Sequence, residues 1–344
     1  MEQQDILSMT LPELQAAVQE LGEPKFRAKQ IFNWLHQKRV TDFSEMTTLS
    51  LPFRERLASD FCINRLKIAK RLASSVDDTV KYLYELPDGN YVETVCMQYH
   101  HGTSLCISTQ VGCRMGCRFC ASAIAGFVRN LTPAEMLLQI YETERAQNCK
   151  ISSLVLMGIG EPLDNFDNVL RFLQLLSDPN GYGMSLRHVT VSTCGVVPKI
   201  LELAEQRLGL TLSVSLHCPN DAGRSAIMPI NRSYPIDVLL DACQTYFEKT
   251  GRRVTFEYAV MEQVNSAEQD AAALAERLKG LHAHVNLIPI NPVKERNFHT
   301  LKKTVLQFQK TLERYGIPAT IRRTLGSDIE AACGQLRRDA IQQT

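Results

Sequence analysis

From Leu105 onward the chain alternates short β-prone runs with helical stretches, and this rhythm restricts the fold more than any other feature of the sequence. The runs are Leu105–Thr109, Leu154–Met157, Val189–Ser192, Leu212–Leu216, Val254–Tyr258 and Val285–Ile288, with helical stretches between them at 133–147, 198–208, 236–249 and 267–279. Strands separated by a helix-length connection pair in parallel, so the pattern predicts an α/β fold, either a barrel or an open sheet. The first helix has a marked start: Thr132-Pro133-Ala134-Glu135 is a capping box with proline at the first helical position. Two further β-prone runs, Lys81–Glu85 and Tyr91–Tyr99, precede this region. Residues 1 to 75 differ. Apolar residues recur there at helical spacing, in Leu11–Leu21, across Phe26, Ile31, Phe32 and Leu35, and in Phe53–Phe61, without strand alternation. The expected division is a small helical domain over 1–75 and a larger α/β domain over 76–344.

Composition narrows the class. A chain of 344 residues with 44% hydrophobic and 22% charged residues is neither a disordered polymer nor a coiled coil, and it is long enough to bury a large core. No run approaches the ~18 apolar residues of a membrane span, and Met1-Glu2-Gln3-Gln4-Asp5 lacks the basic-then-apolar layout of a signal peptide. The expectation is a cytoplasmic protein without a membrane partner. Lys and Arg number 38 against 37 Asp and Glu, a net charge of +1. A polyanionic partner must therefore be held by local surfaces rather than by a broad positive field.

Eleven cysteines in such a chain are expected to be thiols, so their placement carries the information. Three stand together in Cys113-Arg114-Met115-Gly116-Cys117-Arg118-Phe119-Cys120. At this cysteine frequency the spacing arises by chance in roughly one chain in a hundred. Structural zinc needs four protein ligands, and no His or Cys pair stands at finger spacing nearby. Three thiolates on one short loop suit a 4Fe-4S cluster held at three corners with one iron left open. The loop follows the first parallel strand, at the end where α/β folds carry their chemistry.

The Cys-x3-Cys-x2-Cys spacing is similar to that of the radical S-adenosylmethionine (SAM) enzymes, in which the open iron chelates SAM and delivers the electron that cleaves it. Gly158-Ile159-Gly160-Glu161-Pro162, after the second strand, resembles the motif that holds the SAM methionyl amine; a carboxylate facing an ammonium is a charge-assisted pair. Taken alone, that pentapeptide is a glycine-rich turn. Four further strings narrow the match: Ser192-Thr193-Cys194-Gly195, Ser215-Leu216-His217-Cys218-Pro219-Asn220-Asp221, Met228-Pro229-Ile230-Asn231 and Asn286-Leu287-Ile288-Pro289-Ile290-Asn291-Pro292. With Gly326 to Leu336 near the end, they resemble the RlmN family of adenine-C2 RNA methyltransferases over nearly the whole chain. The resemblance implies a partial (β/α)6 radical SAM barrel behind a small N-terminal helical domain that grips RNA. It implies a 4Fe-4S cluster on Cys113, Cys117 and Cys120, and SAM contacts from Gly160, Glu161, Ser192, Ser215, Leu216, His217 and Asn291. For His217 a hydrogen-bonded core histidine is the alternative.

The resemblance also implies a reaction. C2 of adenine lies between two ring nitrogens and is electron-poor, so it makes a poor nucleophile toward SAM, and a radical route through a protein-bound methyl group fits better. In the family one SAM methylates a cysteine thiolate. A second is cleaved to a 5′-deoxyadenosyl radical, which takes hydrogen from the S-methyl group; the methylene radical adds to C2. This ping-pong scheme uses two SAM molecules per turnover, and a second cysteine resolves the covalent protein–RNA adduct through a transient disulfide with the first. By position, Cys333 matches the methyl carrier, Cys106 the resolving thiol and Glu93 the acceptor of the C2 proton. Apart from the resemblance, both cysteines read as inert small core residues and Glu93 as a solvated strand residue. Cys62, Cys96, Cys149, Cys194, Cys218 and Cys243 match no catalytic position and are read as packing.

The implied substrates are 23S ribosomal RNA before ribosome assembly is complete, and some transfer RNAs; the implied protein partner is an electron donor such as flavodoxin or ferredoxin, and the expected state is a monomer. Lys25, Arg27, Lys29, His36, Lys38 and Arg39 surround Trp34 without an acid, a composition suited to phosphate and base contacts. Phe26, Ile31, Phe32, Trp34 and Leu35 also suit the packed face of a helix whose charges meet water. Arg252-Arg253, Lys302-Lys303, Arg322-Arg323 and Arg337-Arg338 add further basic pairs. Two rival functions stand beside this one. A Cfr-type enzyme methylates C8 of the same adenine and confers antibiotic resistance; Pro162 favours the C2 branch. A non-methylating iron–sulfur protein that binds RNA or senses redox state has no need of both Glu161 and Cys333.

Overall fold

The computed structural model describes residues 3–124, 126–290 and 298–329. Ten strands form one sheet: β1 Lys67–Ala73, β2 Val80–Glu85, β3 Tyr91–Tyr99, β4 Gly102–Cys106, β5 Ile151–Leu156, β6 Val189–Thr193, β7 Thr211–Ser215, β8 Val254–Val260, β9 Ala283–Pro289 and β10 Ala319–Ile321. Their order across the sheet is their order in the chain. β1 to β4 form an antiparallel meander, and β4 to β10 run parallel. Each crossover advances one strand in the same direction, which winds a sheet around an axis. Leu325, just beyond β10, packs on Val95, Met97 and Cys106 of β3 and β4. The parallel strands thus curve around a common interior, the partial barrel that the family resemblance implies, with the meander as an extension of one edge.

Register sorts the side chains of this sheet into two sets. Leu105, Leu154, Val191, Leu212, Phe256 and Leu287 share the outer face and are buried in the main core. Cys106, Thr190, Ser192, Ser213, Ser215, Glu257 and Asn286 share the inner face. Val155, Ala259 and Ile288 share that face, so the barrel interior sets polar groups among apolar ones, an arrangement suited to an amphipathic ligand. The connecting helices begin with α4, Pro133–Gln147, whose capping box forms as expected: Thr132 Oγ accepts from the Glu135 N–H, and Glu135 Oε2 accepts from the Thr132 N–H.

Three helices precede the sheet, α1 Leu11–Glu20, α2 Phe26–Asn33 and α3 Leu51–Asp60. The expectation of helices alone as far as residue 75 is corrected: Lys67–Ala73 is the edge strand β1, paired with β2. Nearly every residue of β1 is exposed, so neither face is buried and its sequence carries no alternation. The hairpin partner, not local patterning, makes it a strand.

The basic stretch of the helical region divides in the structure. Lys25, Lys29 and Lys38 are exposed, and Lys38 lies over the Trp34 ring. His36 and Arg39 instead dock the helices on α4: His36 Nδ1 is 2.9 Å from the Tyr141 hydroxyl, and Arg39 pairs with Glu144 at 2.5 Å. His36 is buried, and burial lowers its pKa to about 4. The unfolded chain accepts that proton near 6.5, so between pH 6.5 and 4 the unfolded state holds more protons and stability falls as pH falls. His36→Gln, which keeps a donor for Tyr141, is expected to flatten this dependence by up to roughly 3 kcal/mol at the acid end, as read by unfolding midpoints across the pH range.

Candidate active site

The strand-end loop that carries the cysteine triplet is closed by a short ladder between Gln110–Gly112 and Phe127–Asn130. Gly112 has φ +81°, and a Cβ there would meet the Gly126 carbonyl oxygen at 1.7 Å, so only glycine closes the loop. Inside it the Cys113 N–H donates to Gly126 O, Cys120 N–H to Cys117 O, and Arg118 N–H to Ile227 O. Cys113, Cys117 and Cys120 line one cavity of about 350 Å³ at the carboxyl ends of the parallel strands. Met115, Cys117 and Phe119 pack on buried Cys194, Cys218 and Met228. Burial pushes the Cys113 thiol up to about 12 and that of Cys117 higher still. Thiols in such dry surroundings become thiolates only against compensating positive charge, which the irons of a cluster provide. Among the described residues no three His, Cys, Asp or Glu side chains converge on a site for one metal ion. The donor set fits a 4Fe-4S cluster held by Cys113, Cys117 and Cys120.

The second strand end is built against the first. The Ile107 N–H donates to Val155 O, and the Gly158 N–H returns to Ile107 O. A Cβ on Gly158 would lie 2.5 Å from the Ile107 oxygen, and one on Gly160, φ +113°, 2.7 Å from Gln110 Cβ. These glycines let two strand ends cross closely enough to turn Glu161 inward. Glu161 is 4% exposed. Its Oε1 accepts from Leu163 N–H at 3.0 Å and its Oε2 from Cys194 N–H at 2.7 Å. Burial raises its pKa and those hydrogen bonds oppose the rise. No cationic side chain among the described residues pairs with it, so the cavity presents a buried carboxylate suited to an ammonium group.

Ser192, Ser215 and His217 line the same cavity. His217 has φ +59°, its ring meets Phe119 edge-on at 4.8 Å, and its Nδ1 accepts from the Ala259 N–H at 2.9 Å. Burial depresses its pKa to about 3. The ring is therefore neutral with its proton on Nε2, a fixed donor. His217 is thus a hydrogen-bonded core histidine that also forms part of the cavity wall. Leu216 is fully buried and contributes its backbone: its N–H donates to Glu257 O and its carbonyl accepts from Arg224 Nε. Cys106 lines the cavity beside the cluster loop. Glu93 lies on the same face of β3 as Val95 and Met97, which line the cavity, but is itself 2% exposed and paired with Lys81 at 2.8 Å. Asn291 and Cys333 lie outside the described residues.

Two buried residues of the site escaped the sequence reading. Glu257 lines the cavity and accepts from Ser213 Oγ at 2.6 Å and Asn286 Nδ2 at 2.8 Å; a carboxylate within the apolar run Val254–Val260 was its signal. Arg224 is wholly buried and donates to the carbonyls of Cys194, Ser215 and Leu216 and to Asn231 Oδ1, tying the ends of β6 and β7 together. Nothing in its sequence surroundings marks it.

Residues 107–275 match the radical SAM superfamily, and residues 4–63 match the ribosomal RNA large subunit methyltransferase N-terminal domain. A probable dual-specificity RNA methyltransferase RlmN of Lachnoclostridium phytofermentans is 50% identical over 344 residues, 99% of this chain and 96% of that one. The chain belongs to the RlmN family. Another member, from Clostridium novyi, is 48% identical and shares 98% of this chain and 99% of its own length. The crystal structure of a radical SAM methyltransferase from Sphaerobacter thermophilus superposes with a TM-score of 0.92 at 40% identity, over 96% of this chain and 98% of that one. Membership makes the protein a SAM-dependent radical methyltransferase. No helix among the described residues is long and apolar enough to cross a membrane.

Proposed function

We propose that this RlmN-family chain methylates C2 of adenosine in RNA, at adenosine 2503 of 23S ribosomal RNA and adenosine 37 of some transfer RNAs. The names of its relatives support an RNA substrate. One observation carries the radical route: Cys106, the cysteine triplet and Glu161 line one cavity, which supports a cleavable SAM and a resolving thiol sharing one site. When bound, the cluster supplies the single electron that cleaves SAM. The chain's own residues do the rest. Glu161 holds the methionyl amine; Ser192, Ser215, His217 Nε2–H and the Leu216 backbone orient the cofactor, with Asn291 completing the set. Cys333 carries the methyl group to C2, Glu93 takes the C2 proton, and the Cys106 thiol forms the disulfide that frees the product. Lys81 balances the charge of Glu93 in surroundings that exclude water. Pro162, buried at the start of a turn in the cavity wall, supports C2 over C8. The exposed Lys25, Lys29 and Lys38, with Arg322 and Arg323 at the cavity, supply the local cations that a chain of net charge +1 requires.

The carrier role has a direct test. Intact-mass and peptide analysis of anaerobic holoprotein incubated with SAM is expected to find one methyl group, on Cys333. An unmodified Cys333 after turnover would overturn its role.

A further inference from the structure

The turn between β1 and β2 is bonded to the segment that follows β10. Asp328 accepts from both hydroxyls of the turn, Ser74 at 2.6 Å and Ser75 at 2.9 Å, and from the Ser75 N–H at 2.7 Å. The contact is reciprocal. Asp77, in the turn, accepts from the Gly326 N–H at 2.8 Å and from the Thr79 N–H at 2.9 Å. Ser74 Oγ also accepts from the N–H groups of Val76 and Asp77, which fixes the turn before it engages its partner. Between the two acidic contacts the chain bends at Gly326, φ +59°. These bonds hold Asp328 well below the usual carboxylate range, at about 2, so the acceptor stays charged at any physiological pH.

What the contact positions follows from its neighbours. Leu325 packs on Val95, Met97 and Cys106, and with Thr79 it lines the catalytic cavity. Cys333 is the fourth residue after Ile329, a reach of at most roughly 14 Å of extended chain. The turn and its partner segment lie outside both matched regions, 4–63 and 107–275. We propose that Ser74, Ser75 and Asp77 form a clasp that, through Asp328 and Gly326, holds the root of the Cys333-bearing segment over the Cys106 wall of the cavity. They are positioning residues: the clasp touches no reacting atom, but it sets how often the Cys333 thiol meets Cys106. The inference rests on the carrier and resolver roles proposed for those two cysteines.

Disulfide formation between them reads the clasp directly. Anaerobic, RNA-free holoprotein is treated with oxidised glutathione. Cys106 and Cys333 lose two protons and two electrons to form one S–S bond, and the reagent is reduced to two thiols. Peptide mass mapping follows the Cys106–Cys333 product. With Asp77→Ala and Asp328→Ala combined, the rate is expected to fall about tenfold or more through lost proximity, while Ser74→Thr with Ser75→Thr, which keeps both hydroxyls, holds it within about twofold of wild type. Iron content, SAM affinity and unfolding midpoint should match wild type in every variant. If the double alanine variant loses its midpoint, Ser74→Ala with Ser75→Ala on the exposed turn serves in its place, with the same direction expected. A wild-type crosslinking rate in the clasp variants would overturn the proposal while leaving the catalytic roles standing. Failure of wild-type protein both to methylate Cys333 and to form the crosslink would overturn those roles, and the proposal with them.

Discussion

Cys106→Ala is expected to stop the reaction after bond formation to RNA and before release. Cys106 faces the cavity and packs against Val95, Met97 and Leu325, so removing its sulfur trims one wall while leaving the three cluster cysteines and Glu161 in place. Cysteine methylation and SAM cleavage should continue for one cycle, leaving a covalent protein–RNA species that survives denaturing electrophoresis in amounts stoichiometric with enzyme. Multiple turnover should fall by more than about a hundredfold, as for loss of a group that acts only in one step. Release of methylated RNA at the wild-type rate would mean that another group resolves the adduct.

Arg224→Met should cost the most stability. The guanidinium is fully buried, and all four of its hydrogen bonds go to neutral oxygens, three of them backbone carbonyls at the ends of β6 and β7. Methionine fills similar volume but removes all four donations; the Leu216 carbonyl keeps the Cys218 N–H, while the Cys194 and Ser215 carbonyls and Asn231 Oδ1 lose the guanidinium. Each orphaned carbonyl costs about 1–3 kcal/mol, and partial relaxation should leave a loss of roughly 3–5 kcal/mol. Ser215 and Leu216 are anchored by these bonds, so SAM affinity should fall with stability. Lysine, lacking the planar fork, can satisfy only part of the set and should recover only part of the loss. Denaturant titration checks the first effect and equilibrium binding of SAM the second; a loss below about 1 kcal/mol would show that the strand ends do not depend on Arg224.

The parts of the fold that were legible in the sequence are those where local chemistry and tertiary structure agree. Each predicted parallel strand lies within a residue or a few of its place, because outer-face apolar residues such as Leu154, Val191 and Leu212 give β-prone runs between helices. Thr132 and Glu135 mark the start of α4 because the capping box is a contact among neighbours. The cysteine loop and Gly158 to Glu161 were readable because close approach and ligand spacing demand particular residues. What escaped depends on distant partners. β1 exists by pairing with β2, His36 and Arg39 are taken up by docking on Tyr141 and Glu144, and Glu93 finds Lys81 across the hairpin. Arg224 bonds mainly to backbone carbonyls, which no residue type marks, and the clasp at Ser74 and Asp328 joins segments far apart in the chain, so no local pattern announces either.

The nucleoside mass spectrum of ribosomal RNA tests the central claim most directly. RNA from cells lacking the gene should lose 2-methyladenosine, and the gene restored with active enzyme should return it. Loss of 8-methyladenosine instead, with 2-methyladenosine unchanged, would contradict the assignment and transfer this barrel to the C8 reaction.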